Sequence, residues 1–272
     1  MVAGRLDRPQ RVVDGVAELR TTAYDGDMPN SILETQFVLS PPAAPVERHG
    51  DVDLHLPSRA GSHPAVVVVH GVPLPPGVPD PREWPIYRGY GALLAEQGVV
   101  AALPSLPVET PADLPVAAEE LRAAVELVRA DPRVDPDRLV LWFFSGSGLL
   151  LGDWLRDPPS WLSGLAATYP LLAPLPGWVV DARFRPADAV DAAADLPPLV
   201  LTRAGRDRPE IAAATDMFMA VATRRGTAVR VVDVPDGRHG FDMLDHTEQS
   251  RDAVRSARDA ILTILTARDP RS

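Results

Sequence analysis

A hydroxyl, a carboxylate and an imidazole each follow a different apolar segment of this chain. Ser145, Asp207 and His239 occur in that order, each just after a run of residues typical of a β-strand. A serine hydroxyl is a poor nucleophile near neutral pH, so an imidazole must accept its proton during attack and return it to the leaving group. A carboxylate fixes the tautomer of the imidazole and stabilises the imidazolium. The three residue types therefore predict acyl transfer through a covalent serine intermediate.

Two serines compete for the role of nucleophile, because Ser145 and Ser147 both lie in the Ser-Gly-Ser-Gly turn at 145–148. The Gly-x-Ser-x-Gly pattern has small residues two positions before and after the serine, where strand and helix pack closely. Ser145 is flanked in this way by Phe143 and Ser147, and Ser147 is flanked by Ser145 and Leu149. Neither register fits completely, and we favour Ser145 because it follows the strand directly.

The acid and the base also have competitors nearby. Asp207 is close in sequence to Glu210 and Asp216, and charged residues between a strand and a helix are usually solvated. We favour Asp207 because it comes soonest after its strand. His239 is one of six histidines, and its position in a Gly-Arg-His-Gly-Phe loop after a strand favours it as the base.

Backbone N–H groups are the expected donors to an oxyanion. The loop after the apolar run 65–70 continues as Gly71-Val72-Pro73, and Val72 carries the nearest N–H group after Gly71 because proline has none. Gly146 supplies a second N–H group at the start of a predicted helix, where the backbone favours negative charge. We expect Val72 and Gly146 to form the oxyanion hole, and His70 to anchor the loop rather than serve as a base.

A mostly parallel sheet would bring these groups together. Strand-like runs occur at 15–24, 32–39, 52–56, 65–70, 99–103, 138–144, 165–169, 198–203 and 228–234, and helical patterns at 87–97, 115–130, 148–156, 210–225 and 246–267. Alternating strands and helices require crossovers, which predicts an α/β fold with about eight strands and helices on both faces. The carboxyl ends of parallel strands share one edge of the sheet. We expect one domain over 1–272, with a small cap or lid at 171–196.

Aromatic residues near these loops are candidates for a substrate pocket, and each could equally belong to the core. The four that we predict to line the pocket are Trp84, Tyr87, Tyr169 and Phe241, whereas Tyr90, Trp178 and Phe184 are left as open alternatives. Arg183 and Arg185 in the cap segment could hold a substrate carboxylate through paired hydrogen bonds. Such arginines are more often solvated, so we do not assign them.

The composition excludes several classes of function. The chain has 272 residues, 27 basic and 37 acidic side chains and a net charge of −10, which disfavours nucleic acid and anionic membranes as partners. It contains no cysteine, and every basic residue is arginine, so thiol nucleophiles, disulfides and lysine Schiff bases are excluded. No metal-ligand spacing occurs among the histidines, and Leu151 replaces the third glycine of a dinucleotide-binding motif. We expect no cofactor and no metal, and a cytoplasmic location.

Four short motifs together resemble one known family. His70-Gly71, the turn around Ser145, Gly205-x-Asp207 and His239-Gly240-Phe241 are similar to the α/β-hydrolase superfamily, and to its dienelactone hydrolase-like and small serine esterase branch. The spacings of 62 and 32 residues between serine, aspartate and histidine also suit that family, and the element order matches from about residue 52 to 267.

The resemblance implies hydrolysis of esters, lactones or thioesters by a serine enzyme that needs no cofactor. Two alternatives remain open from the sequence. The first is an acyltransferase or cyclising enzyme that uses the same nucleophile. The second is a non-catalytic member of the fold that binds a small molecule, for which Phe143 in the turn is the only support.

Overall fold

The computed structural model describes residues 32–267. Within this part of the chain, eight strands form one sheet in the order β1-β2-β4-β3-β5-β6-β7-β8. They are β1 (Val46–His49), β2 (Val52–His55), β3 (His63–Val69), β4 (Val100–Pro104), β5 (Val134–Phe144), β6 (Leu162–Thr168), β7 (Leu199–Arg206) and β8 (Val229–Arg238). Strands β3 to β8 pair in parallel, whereas β1 with β2 and β2 with β4 pair antiparallel.

Five helices connect the parallel strands, and two more follow the last strand. They are α1 (Pro85–Glu96), α2 (Leu114–Ala130), α3 (Leu151–Arg156), α4 (Pro186–Ala192), α5 (Pro209–Arg224), α6 (Phe241–Leu244) and α7 (Glu248–Thr266). Short 3₁₀ helices cover Pro81–Glu83, Pro111–Asp113, Ser145–Leu150 and Ala182–Phe184. Between residues 32 and 267, no helix combines the length and the apolar character that crossing a membrane requires. The prediction of a mostly parallel sheet flanked by helices is confirmed.

The sheet separates two layers of buried side chains, because successive residues of a strand point to opposite faces. We call one the aliphatic layer and the other the aromatic layer. Along β5, the aliphatic layer contains Leu139, Leu141 and Phe143, and the aromatic layer contains Val140, Trp142 and Phe144. Helices α2 to α5 contribute to the aliphatic layer, and α1 and α7 to the aromatic layer. Strands buried on both faces explain why the central runs are apolar without alternation.

The amino-terminal part of the described chain differs from the prediction in two places. The prediction of a strand over residues 32–39 is wrong, because these residues form a turn and irregular backbone. Their apolar residues reflect packing, since Ile32, Phe37 and Val38 are buried in the aromatic layer. Strand β1 has no counterpart among the predicted strands, because all four of its residues are exposed and carry no apolar pattern. The predicted strand at 15–24 lies outside the described residues.

Candidate active site

Ser145 lies on a sharp turn at the carboxyl end of β5. The strand ends at Phe144 and a 3₁₀ helix begins at Ser145 itself, which takes a left-handed backbone conformation with φ of 53°. A non-glycine residue in this region is strained, and such strain concentrates at functional sites. Phe143, the bulky residue of the turn, is fully buried in the aliphatic layer.

Ser147 occupies a different environment, although it is only two residues away. Its side chain is fully buried, and the single proton of its hydroxyl is shared between the carbonyl oxygens of Val69 at 3.0 Å and Phe144 at 2.8 Å. The same Oγ accepts a hydrogen bond from the N–H of Phe144 at 2.9 Å. The hydroxyl therefore fastens the turn to the end of β3 and is saturated by backbone groups.

The Ser145 hydroxyl instead meets an imidazole. Its Oγ is 2.7 Å from Nε2 of His239, and Nδ1 of His239 is 3.0 and 3.1 Å from the two carboxylate oxygens of Asp207. In the tautomer that satisfies both contacts, Nδ1–H donates to Asp207 and Nε2 accepts from the serine. His239 follows β8, and Gly240 turns the chain after it with φ of 76°. The structure thus brings the three predicted residues into one hydrogen-bonded series.

Asp207, and neither of its sequence competitors, contacts His239. Its side chain is only 4% exposed, and it also accepts a hydrogen bond from the N–H of Arg208 at 2.8 Å. Asp216 is 78% exposed and lies 3.9 Å from Arg203, and Glu210 lies 3.8 Å from Arg208. Both competitors are therefore in surface ion pairs.

The two predicted oxyanion residues lie beside the serine. Val72 and Gly146 line the same small cavity as Ser145 and His239. The contact between the two loops is close, because a Cβ atom at position 146 would overlap the carbonyl oxygen of Val72. Only glycine can follow Ser145 while the Val72 loop keeps this position.

The cavity beside Ser145 is small and mostly apolar. Its volume is about 10 Å³, close to the space for one water molecule. Its lining consists of Val72, Ser145, Gly146, Leu171, Leu175, Trp178, Ile211 and His239. Three of these, Leu171, Leu175 and Trp178, come from the segment 171–196, and the N–H of Leu171 donates to the carbonyl of Ser145 at 2.8 Å. That segment therefore forms one wall of the site.

The four aromatic residues predicted to line a substrate pocket are placed elsewhere. Trp84, Tyr87 and Phe241 are buried in the aromatic layer, where Trp84 donates to the carbonyl of Pro79 and Tyr87 accepts from the N–H of Gly71. They do not line the cavity at Ser145. Large aromatic side chains gain more from burial in the core than from lining so small a cavity. Their position near a loop in the sequence does not show which of the two places they take.

Tyr169 differs from these three because it touches the base. Its ring packs against the ring of His239 with centroids 4.7 Å apart, and its φ of 38° is also left-handed. It belongs to the aromatic layer and borders a separate groove beside Asp207, so it does not line the cavity at Ser145 either. Trp178 is the aromatic residue that does so. Arg183, in the predicted cap, forms an ion pair with Asp153 at 2.6 Å.

A buried carboxylate that the sequence analysis missed lies behind His239. Asp242 is fully buried, and its carboxylate accepts hydrogen bonds from Tyr90 Oη at 2.7 Å and from Tyr169 Oη at 2.8 and 3.0 Å. Burial raises the pKa of Asp242 to about 6, while both hydrogen bonds and the charge of His239 act in the opposite direction. Its sequence signal is an acid within the apolar segment Phe241-Asp242-Met243-Leu244.

His70 anchors the loop that carries Val72. The ring is buried, Nδ1 lies 3.0 Å from the carbonyl of Gly71, and Nε2 accepts from the N–H of Leu106 at 2.9 Å. Burial lowers the pKa of His70 to about 4. A neutral imidazole with both nitrogens bonded to backbone is suited to holding the loop and not to proton transfer.

No protein-family model matches the chain, and no curated protein matches it in sequence. Similar folds occur among solved structures. A thermophilic esterase of the planctomycete Thermogutta terrifontis, Est2 with butyrate bound, is 18% identical with a TM-score of 0.63 over 85% of this chain and 97% of its own. Esterase 2 of the same organism, phosphoramylated by tabun, gives a TM-score of 0.64 at 18% identity, over 83% of this chain and 96% of that one.

A truncated carbohydrate esterase from gut microbiota gives a TM-score of 0.63 at 15% identity over 79% of this chain and 91% of that one. Together with the strand order and the helices on both faces, these neighbours show that the chain adopts the α/β-hydrolase fold.

Proposed function

We propose that this chain is a serine hydrolase that cleaves carboxylic esters, lactones or thioesters of modest size. The observation that carries the proposal is the series of contacts from Ser145 through His239 to Asp207. Each residue follows a different parallel strand, and the serine sits in a strained turn that exposes its oxygen to the imidazole. The structural neighbours from Thermogutta terrifontis and from gut microbiota are esterases, which agrees with this reaction class.

Ser145 is the proposed nucleophile and His239 the proposed general base. Oγ of Ser145 attacks the carbonyl carbon while its proton passes to Nε2 of His239. The resulting imidazolium is stabilised by Asp207, which accepts the hydrogen bond from Nδ1. Collapse of the tetrahedral intermediate breaks the bond to the alcohol or thiol, and the leaving group takes the proton from His239.

Water then attacks the acyl-enzyme from the position the leaving group has vacated. His239 accepts a proton from this water, the acid is released, and the proton returns to Oγ of Ser145. In both halves of the reaction the carbonyl oxygen becomes negative. We assign its stabilisation to the N–H groups of Val72 and Gly146, which border the cavity at Ser145. Losing one such donor typically lowers kcat by ~10²–10³-fold.

We place the chain in the dienelactone hydrolase-like and small serine esterase branch because of its His-Gly, Gly-x-Asp and His-Gly-Phe motifs, without an organic cofactor. The small cavity favours substrates with a compact acyl group. A cytoplasmic location remains an expectation from the sequence.

One observation favours acyl transfer as a second candidate. Leu171, Leu175 and Trp178 close one side of the cavity, and excluding water from an acyl-enzyme favours another acceptor. Product analysis with a chromogenic acetate ester, in the presence of a competing alcohol or amine, separates the two reactions. Free acid as the main product supports hydrolysis, and an acylated alcohol or amine supports transfer.

A fluorophosphonate probe tests the nucleophile. We expect the adduct on Ser145, its loss in Ser145→Ala, and its retention in Ser147→Ala, because the hydroxyl of Ser147 is buried and bonded to backbone. Hydrolysis of p-nitrophenyl acetate is expected to fall at least ~10³-fold in Ser145→Ala. An adduct on Ser147, or turnover that survives Ser145→Ala, would contradict the proposal.

A further inference from the structure

A second buried carboxylate lies close to His239 without touching it. Asp242 comes three residues after His239, at the start of α6, and its side chain is fully buried. Tyr169 connects the two, because its hydroxyl donates to Asp242 while its ring packs against the imidazole at 4.7 Å. The contact chain Asp242–Tyr169–His239 therefore reaches the proposed base through the aromatic layer.

The carboxylate needs an explanation, since a buried charge is costly unless it is paired. Its hydrogen-bond donors are the phenols of Tyr90 and Tyr169, which are neutral; burial and the carboxylate hold the pKa of both well above the usual range. These neutral donors do not balance the negative charge. A positive charge on His239 favours the ionised form of the carboxylate.

We propose that Asp242 is a positioning residue for the hydrolysis proposed above: its carboxylate holds the Tyr169 ring against His239, and its negative charge stabilises the imidazolium formed when Ser145 loses its proton. Asp207 bonds the imidazole directly, and Asp242 acts on it through space and through Tyr169. This inference rests on the proposed function for its role in catalysis. The electrostatic link between Asp242 and His239 stands without it.

The titration of Asp242 depends on the groups that surround Asp242 and His239. Asp242 faces Tyr90 from α1 and Tyr169 from the end of β6, with Tyr87 of α1 contributing to the field at both phenols. His239 faces Ser145 and Asp207 directly. Because the pKa of Asp242 is about 6, its charge is present above that pH and is lost as the pH falls through it.

The kinetic test compares kcat of the wild type with that of Asp242→Asn over pH 4 to 9, using p-nitrophenyl acetate. Asparagine keeps the shape and removes the charge. We expect kcat of the variant to be about tenfold lower at pH 8, with KM nearly unchanged because the imidazolium is absent from the ground state. The ratio should approach one below pH 5, where wild-type Asp242 is itself neutral.

Thr168→Val is the matched control. It removes the buried hydrogen bond from Trp142 to Thr168, 2.9 Å long and next to Tyr169 in sequence, without altering charge. We expect it to lower stability while leaving kcat and its pH dependence unchanged. If the ratio of kcat between the wild type and Asp242→Asn is the same at all pH values, the proposal is overturned. A purely structural loss of activity would not follow the titration of Asp242.

A second measurement needs neither turnover nor a change in the buried cluster. The carboxyl titration of Asp242 is followed by ¹³C NMR in the wild type and in His239→Gln, with Asp242→Asn used only to assign the signal. Coupling between two sites is reciprocal, so removing the imidazolium should move the midpoint for Asp242 to higher pH. An unchanged midpoint overturns the inference whether or not the protein hydrolyses esters. Absence of esterase activity beside a shifted midpoint would contradict the proposed function alone.

Discussion

On one face of β5, Leu141 and Phe143 belong to a cluster of buried apolar side chains, whereas on the opposite face Trp142 and Phe144 share their layer with phenols and a carboxylate. The two layers differ in the groups that lie at the carboxyl ends of the parallel strands. The aliphatic layer ends beneath the turn of Ser145, and the aromatic layer ends at Tyr169 and the base, His239.

The difference shows how one sheet separates stability from chemistry. Aliphatic side chains fill space and stabilise the fold, and they offer nothing that responds to charge. The aromatic layer carries hydroxyls that hold a buried carboxylate close to the imidazole. We therefore expect changes in the aliphatic layer to alter unfolding free energy alone, and changes to Asp242 and Tyr169 in the aromatic layer to alter turnover and its pH dependence as well.

The largest effect on stability is expected in the aliphatic layer. Leu141 is completely buried, and Leu141→Ala should lower the free energy of unfolding by about 2–5 kcal/mol, because it removes apolar contacts and leaves a cavity. Denaturation in urea measures this loss. The value of kcat per folded molecule, counted with the serine probe, should stay within about twofold of the wild type. A larger fall in kcat would break the proposed division between the layers.

A smaller and pH-dependent effect is expected at Asp242 in the aromatic layer. Its pKa is about 6 against an ordinary value of 3.8, so the folded state binds the proton more tightly than the unfolded state. The contribution of Asp242 to wild-type stability should therefore fall as the pH rises from 4 to 7, with no further loss from this group above that range. Asp242→Asn has no such term, so its stability relative to the wild type should increase over the same range by on the order of 2 kcal/mol.

Urea titrations of both proteins at pH 4, 5, 6 and 7 measure that difference. A difference independent of pH would mean that Asp242 titrates alike in the folded and unfolded states. Asp242 would then be a simple hydrogen-bond acceptor. The aromatic layer would, like the aliphatic layer, contribute to stability without a dependence on pH.

The smallest effect separates two tyrosines of the aromatic layer. Tyr169→Phe and Tyr90→Phe each remove a hydroxyl from Asp242 and should each destabilise the protein by about 1 kcal/mol. Of these two rings, that of Tyr169 contacts His239. We therefore expect kcat at pH 8 to fall a few-fold in Tyr169→Phe and to change less in Tyr90→Phe. Equal losses of kcat would show that the link from Tyr169 to Asp242 does not help to place the imidazole.

Much of this arrangement could be predicted from the sequence because its signals are local. The run of valines in β3 is typical of a strand buried on both faces, and parallel strands bring the residues after their carboxyl ends to one edge of the sheet. Ser145, Asp207 and His239 each come within a few residues of a strand end, so their convergence could be expected. The preference for Ser145 over Ser147 rests on the same rule.

Other features depend on contacts between distant residues and carry little local signal. Asp242 meets Tyr90 across 152 positions and Tyr169 across 73, so no spacing in the sequence indicates the cluster. The predicted pocket aromatics lie in the core because proximity to a loop does not say which face a ring takes. Residues 32–39 have an apolar pattern without strand pairing, and β1 has strand pairing without an apolar pattern.

The left-handed backbone at Ser145 has a further consequence for how binding energy is used. The side-chain oxygen is aimed at the imidazole before any ester arrives, so the work of orienting it is done during folding rather than during binding. Glycine would adopt the same φ without strain, and it would make the chain more stable while removing the reactive oxygen. At this one position, folding and reactivity favour different amino acids.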